Sequence, residues 1–330
     1  MFLVLSSSSL AVYADELFTA EDIFSLEYAS EPQISPDGTQ VVYVRNSNDI
    51  MTDGKNTNLW LIDVKSQQQI PLFSDDKQYS QPRWSADGKR IAFVSNLTGS
   101  HQIHVHYLKE NKTALVSQLQ TKISNLAWSP DGKWLAFTQK VKEEPTVIAK
   151  MPKKPKGATW NKPVIVIDQA YYQADGKGLL QPGYQQIFVL PSEGGTPRQI
   201  TQDSYHHQGT LAWSHDSASI VFSANRLKDW EYKSLEGNLY QVQVATGELI
   251  ELTSLSGKEY NPVFSVNGNK LSFLSGSNAL NPYRNAKLHI MDWQTKKVSE
   301  ITKDFDRSVR DQQWLSNDSL AFSYDNFGKR

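Results

Sequence analysis

A short segment built around a turn of the Ser-Pro-Asp-Gly type occurs six times in the chain, and this repeat limits the possible folds more than any other feature. Its clearest copy is residues 128–137, WSPDGKWLAF. Apolar and polar residues alternate on both sides of the turn, where Pro fixes φ, Asp can bond the backbone ahead and Gly can adopt a positive φ, so each copy predicts a β-hairpin. The six copies are residues 32–44, 82–94, 126–138, 211–223, 262–274 and 312–323.

The spacing of the copies predicts the architecture. The turn serines Ser35, Ser85, Ser129, Ser214, Ser265 and Ser316 lie 50, 44, 85, 51 and 51 residues apart. A third alternating run follows the hairpins (58–64, 102–108, 186–190, 238–244 and 287–293), and a fourth is seen at 69–73, 197–201, 248–253 and 297–302. Four strands in each period of about 45 to 50 residues are typical of a β-propeller blade. Such a sheet cannot bury two apolar faces alone, so blades must stack.

We therefore predict an all-β propeller of four-stranded blades, with six blades begun in residues 32–330. Aromatic residues recur at the same register in the copies, which favours core packing between blades over a sugar- or base-stacking platform. The long period implies an insertion at about 139–184, expected to form a loop and hairpin that leave the blade, with a short apolar strand at 164–167. Such insertions commonly determine which ligand a propeller binds, because the blades themselves serve as a scaffold.

A lead-in of residues 15–31 precedes the first repeat. Within it, residues 19–29 (TAEDIFSLEYA) offer Thr19 as a helix N-cap, place Asp22 at the third helical position and space the apolar residues roughly helically. These features predict a short amphipathic helix. The stretch 2–13 is apolar and rich in small residues, and small residues precede Asp15, which predicts a signal peptide at 1–14 and a periplasmic or secreted protein.

Composition excludes several classes of function. Cysteine is absent, so disulfides, thiolate metal sites and a cysteine nucleophile are excluded. A net charge of −1 provides no basic footprint for nucleic acid. No other apolar run reaches the roughly 20 residues that span a membrane, so we expect no membrane association. We also expect no cofactor and no metal.

Several segments together resemble the N-terminal propeller of serine peptidases of the prolyl oligopeptidase family, in the acylaminoacyl peptidase and dipeptidyl aminopeptidase branch. The first of these segments is the lead-in, which runs directly into the first repeat. Together the segments extend the resemblance over most of the chain. The other segments are residues 166–180 (VIDQAYYQADGKGLL), 186–201 (QIFVLPSEGGTPRQIT) and 225–232 (NRLKDWEY).

The resemblance implies a seven- or eight-bladed propeller that caps a C-terminal α/β-hydrolase domain of the same polypeptide, with a Ser-Asp-His triad and a Gly-x-Ser-x-Gly elbow. None of the 18 glycines has another glycine four positions later, so this sequence contains no such elbow. We expect the propeller to be incomplete at its C-terminus and to contain no catalytic residue. It would gate and select short peptides for an exported exopeptidase; a homo-oligomer remains possible.

Carboxylates are the candidate substrate anchors. Enzymes of the branch that remove dipeptides need a carboxylate to hold the substrate α-ammonium group, and Glu143, Glu144 and Glu231 are the candidates. The competing interpretation is that Glu143 and Glu144 only solvate a charged loop and that Glu231 is an exposed strand residue. His206 and His207 precede a blade hairpin, where a loop role is favoured over catalysis.

Two other classes of protein remain open. A periplasmic protein-binding propeller of the TolB kind would have no hydrolase, but such proteins begin with a separate α/β domain, whereas the lead-in here enters the first blade directly. A propeller lactonase or glycosidase would need carboxylates or metal ligands that converge on the inner strands, and the hairpins show none beyond the turn Asp residues. His101, His104 and His106 lack a supporting ligand at a suitable spacing for zinc.

Overall fold

The computed structural model describes residues 18–144, 146, 148–149, 152–161, 164–277 and 284–326, so the predicted signal peptide lies outside it. Antiparallel strands dominate these residues, and they form five four-stranded sheets, one two-stranded sheet and a separate small hairpin. The predicted all-β propeller fold is confirmed. Within the described ranges, no helix combines the length and apolar character needed to cross a membrane.

The strands follow the repeat closely. Sheet 1 contains β1 (Glu27–Ile34), β2 (Gln40–Asp49), β3 (Gly54–Asp63) and β4 (Gln69–Phe73), and sheet 2 contains β5 (Tyr79–Trp84), β6 (Arg90–Ser95), β7 (Gln102–Tyr107) and β8 (Lys112–Leu115). Sheet 3 contains β9 (Ile123–Trp128), β10 (Trp134–Lys142), β13 (Gly183–Pro191) and β14 (Arg198–Gln199); β11 (Gln173–Ala174) and β12 (Gly178–Leu179) form the small hairpin.

The remaining sheets continue the same order. Sheet 4 contains β15 (His207–Trp213), β16 (Ser219–Ala224), β17 (Asn238–Gln243) and β18 (Leu249–Glu251), and sheet 5 contains β19 (Glu259–Phe264), β20 (Lys270–Ser275), β21 (Lys287–Asp292) and β22 (Val298–Glu300). The two-stranded sheet 6 contains β23 (Arg310–Trp314) and β24 (Leu320–Ser323). The first strands of successive sheets contact one another, so they are the inner strands of the propeller.

The repeated turn is built as the sequence predicts. In the third copy, Ser129 Oγ donates to Asp131 Oδ1 at 2.5 Å, and the backbone N–H of Lys133 donates to the same oxygen at 3.0 Å. Gly132 has φ 68°, and Trp134 N–H donates to Ser129 Oγ at 2.9 Å. Because these turns join the first and second strands, they all lie at one end of the sheets, which we call the turn face. The connections between second and third strands lie at the other end, the loop face.

Each inner strand contains a β-bulge that the sequence pattern does not predict. The pairing register between the first and second strands shifts once in every sheet. A residue with positive φ lies at each shift: Glu31, Gln81, Asn125, Gly209, Asn261 and Asp311. The side chains of Glu31, Gln81 and Asn261 bond a neighbouring blade; for example, Gln81 Oε1 accepts the Leu126 N–H at 3.0 Å. The bulges therefore help to join the blades around the axis.

The core is divided among the seams between neighbouring sheets. Five clusters of buried apolar residues occupy the five successive seams. One aromatic position on the second strand is completely buried in four sheets, with Phe93, Phe137, Phe222 and Phe273 all at 0% exposure. This confirms the core interpretation of the repeated aromatic residues.

The lead-in and the insertion differ from prediction. The predicted helix at 19–29 is wrong beyond one 3₁₀ turn, Glu21–Ser25, because β1 starts at Glu27 and pairs with β2. Asp22 does accept the Thr19 N–H at 2.6 Å, as an N-terminal box requires. The insertion leaves the blade later than predicted, since β10 and β13 remain paired as far as Lys142 and Gly183. The predicted strand at 164–167 is wrong; the hairpin of the insertion is β11–β12, farther along the chain.

Candidate functional site

A large cavity opens on the loop face of sheets 4, 5 and 6. Its volume is about 1080 Å³, at the upper end of the usual range for ligand pockets. Its walls come from the inner strands and from the connections between second and third strands. The insertion and the loop 225–237 between β16 and β17 both lie at this end of the propeller; that loop contains the segment 225–232 of the family resemblance.

Glu231 lies in the wall of this cavity. It belongs to the 3₁₀ turn Trp230–Tyr232, so the expectation of an exposed strand residue is wrong. Its Oε2 atom accepts the backbone N–H of Ala170 at 2.7 Å, which ties the insertion to the cavity wall. No described residue donates a hydrogen bond to Oε1. Glu231 thus has one oxygen in a structural contact and one available to a ligand.

Two further carboxylates gather near Glu231, around the ring of Tyr184. Burial raises the pKa of Tyr184, and the negative charges of Glu143, Glu231 and Asp168 raise it further. Glu143 and Glu231 come from different loops and are 88 residues apart in sequence (231 − 143), yet both lie close enough to Tyr184 for their charges to raise its pKa. Glu144 is exposed, and no contact with this cluster is seen for it in the described structure.

Aromatic rings complete this acidic end of the cavity. The His206 ring centroid lies 5.2 Å from that of Tyr184 and 5.2 Å from that of Trp230. His206, Trp230 and the exposed ring of Tyr171 line the cavity beside Glu231. Aromatic faces combined with carboxylates attract ammonium groups, through both the ring quadrupole and charge-assisted hydrogen bonds. The arrangement is suited to a cation.

His206 should be neutral at this site near neutral pH. Burial, with smaller effects from Lys140 and His207, lowers the pKa of His206 to about 4, and its Nδ1 accepts the Gln185 N–H at 3.3 Å. The unfolded chain takes up this proton near the ordinary value of 6.5, so the contribution of His206 to stability is present above that pH and lost as the pH falls through about 4. We expect the His206 ring signal in an NMR titration to have a midpoint near 4; a midpoint near 6.5 would contradict the buried environment.

His207, next in the chain, has a structural role. It begins β15, is completely buried, and places Nε2 3.5 Å from Asp203 Oδ1. Arg226 also pairs with Asp203 at 2.5 Å. Burial alone would raise the pKa of Asp203, but the hydrogen bonds from His207 and Arg226 outweigh it and lower that pKa to about 2. This ion cluster fixes the segment that positions His206.

Neither the other histidines nor the space among the inner strands forms a better candidate site. His104 and His106 are buried in sheet 2, and His106 Nδ1 lies 3.0 Å from Thr113 Oγ1. No group of three potential metal ligands occurs among the described residues. A smaller cavity of about 390 Å³ lies among the inner strands of sheets 1 to 4; Arg83 is the only ionisable residue in its lining. The loop-face cavity is therefore the candidate site.

The fold and the cavity define a β-propeller with a candidate ligand site at its loop end. Residues 5–159 match the model of the TolB beta propeller domain, and residues 168–279 match that of the dipeptidyl peptidase IV N-terminal region. These matches confirm the resemblance seen in the sequence, which is to the N-terminal propellers of prolyl oligopeptidase-family peptidases.

Relatives support the same conclusion. The uncharacterized peptidase YuxL of Bacillus subtilis is 26% identical over 64% of this chain and 31% of its own length. Dipeptidyl-peptidase 5 of Porphyromonas gingivalis is 23% identical over 91% of this chain and 45% of its own. The uncomplexed acylaminoacyl peptidase structure from Pyrococcus horikoshii matches with a TM-score of 0.68 at 19% identity, over 92% of this chain and 43% of that chain. The chain thus spans less than half the length of these relatives.

Proposed function

We propose that this chain is the non-catalytic, substrate-selecting propeller of an exported serine exopeptidase of the dipeptidyl- or acylaminoacyl-peptidase type. Its partner would be a C-terminal α/β-hydrolase domain of the same polypeptide, and its substrates short peptides. The observation that carries the proposal is the cavity with Glu231 in its wall, on a propeller whose relatives include a dipeptidyl-peptidase and an acylaminoacyl peptidase.

Glu231 is the proposed anchor for the α-ammonium group of the peptide. One of its oxygens is held by the insertion and the other has no hydrogen-bond donor among the described residues, so the carboxylate is oriented before the substrate arrives. Pre-orientation of this kind reduces the entropic cost of binding. Glu143 adds negative charge near Tyr184, and Glu144 would contribute only through long-range attraction.

Peptide binding tests this assignment. We expect trialanine to bind the chain about 10- to 100-fold more tightly than N-acetyl-trialanine, because acetylation removes a charged hydrogen bond worth about 1.5–3 kcal/mol. Titration calorimetry with both peptides measures the ratio of dissociation constants. Equal affinities would contradict ammonium anchoring.

The match to the TolB beta propeller domain favours one alternative, a periplasmic propeller that binds a protein and has no hydrolase. Under that alternative the loop-face cavity has no reason to distinguish peptides by their N-terminus. The same titration therefore separates the two functions, since a protein-binding propeller predicts no saturable binding of trialanine.

A further inference from the structure

The wall of the loop-face cavity that belongs to sheet 5 carries an unpaired positive charge. Lys258 lines the cavity immediately before β19, and in the described part of the chain no hydrogen bond or ion pair engages its ammonium group. Arg310, which also lines the cavity, is different, since it pairs with Asp325 at 3.0 Å. Arg284, in the loop before β21, also lines the cavity, and no described residue pairs with its guanidinium group, so Lys258 and Arg284 are the cations of this wall that are available to a ligand.

The backbone of Lys258 is held from two sides. Its carbonyl oxygen accepts the Gly276 N–H at 2.7 Å, and it forms an isolated parallel bridge with Gly237. The next residue, Glu259, donates its N–H to Gly237 O at 2.8 Å and is completely buried. The base of the side chain is therefore fixed, and the exposed ammonium group needs only a rotamer change to meet a ligand.

Opposite charges thus lie on neighbouring blades of one cavity. Glu231 lies in the loop of sheet 4, whereas Lys258 immediately precedes the inner strand of sheet 5. Because both groups line one cavity, a short peptide bound there can meet both charges.

We infer that Lys258 binds a carboxylate of the peptide, and that the cavity binds both ends of a short zwitterionic peptide: the ammonium group at Glu231 and the C-terminal carboxylate at Lys258. This inference rests on the proposed function and names its substrate class. An acidic side chain near the C-terminus would supply the same chemistry. The Glu236 and Asp311 carboxylates also line the cavity and limit the attraction; Glu236 accepts the Gly257 N–H at 3.1 Å, and Asp311 accepts the Ser323 hydroxyl at 2.7 Å.

The test compares trialanine with trialanine amide on the wild-type chain and on Lys258→Gln. We expect amidation to weaken wild-type binding about 5-fold, the size of a partly exposed ion pair, and Lys258→Gln to weaken trialanine by the same factor while leaving the amide unchanged. Lys228→Gln, on the exposed loop of sheet 4 and outside the cavity lining, is the matched control and should change neither affinity.

The outcomes separate the inference from the function on which it rests. An amidation effect below about 2-fold, equal losses of both peptides in Lys258→Gln, or no saturable binding of trialanine would overturn the inference. If Ala-Ala-Asp amide binds better than Ala-Ala-Ala amide and as tightly as trialanine, Lys258 reads an acidic side chain and the C-terminal assignment is overturned. N-acetylation tests the assignment of Glu231 alone, and C-terminal amidation tests that of Lys258. Either assignment can therefore be contradicted while the other stands.

Discussion

Replacement of Phe137 by alanine should lower the free energy of unfolding by about 3–5 kcal/mol, the largest stability effect that we expect from a single side chain. Phe137 is completely buried in the seam between sheets 2 and 3, and its ring stacks on Phe188 with centroids 5.7 Å apart. Truncation would leave a cavity in a seam whose backbone is fixed by strands on both sides. Urea denaturation followed by tryptophan fluorescence measures the change.

An exposed aromatic residue provides the matched control for Phe137. Tyr232 is 81% exposed, so Tyr232→Ala should change stability by less than about 0.5 kcal/mol. Similar losses for both variants would mean that the repeated aromatic position does not pack the seam, and the propeller interpretation of the repeat would then be wrong.

Glu231→Gln should weaken the binding of trialanine about 10- to 100-fold and leave N-acetyl-trialanine unaffected, because the peptide loses a charged acceptor that the acetylated peptide never used. The amide oxygen of Gln can still accept the Ala170 N–H, so the contact with the insertion is retained and the variant isolates the charge. Titration calorimetry of wild type and variant with both peptides measures the difference.

The control for Glu231 lies at the opposite end of the same sheet. Glu248 is exposed on the turn face, just before β18, and Glu248→Gln removes the same charge far from the cavity. It should leave both affinities unchanged. If Glu248→Gln and Glu231→Gln weaken trialanine equally, the effect is one of net charge and not of a site.

The repeat predicted most of the fold because hairpin chemistry is local. Turn residues such as Asp131 and Gly132 determine their own conformation, and alternation of apolar residues identifies the strands on either side. The bulges were not predictable, since Glu31 and Gln81 have no intrinsic preference for positive φ. They adopt it where the next blade donates a backbone N–H to their side-chain oxygens, a contact that the local sequence does not reveal. The prediction of a helix at 19–29 was wrong for a related reason, because the pairing of β1 with β2 overrides a local helical pattern.

The candidate site was predictable only in part. A chemical requirement for a carboxylate pointed to Glu143 and Glu231, but their proximity depends on how two loops meet on the loop face. Tyr184 and Trp230 carried no signal that separates them from core aromatics. The sequence also gave no signal for Lys258, because a lysine without a charged partner can be recognised only once its surroundings are known.

The central claim is that this propeller selects peptides but does not cleave them. Assays with dipeptidyl and acylaminoacyl chromogenic substrates test it directly, applied to the 330-residue chain and to the longer polypeptide that we propose to carry the hydrolase domain. The account predicts no turnover by the 330-residue chain and clear turnover by the longer polypeptide. Turnover by the 330-residue chain that survives repurification would contradict it.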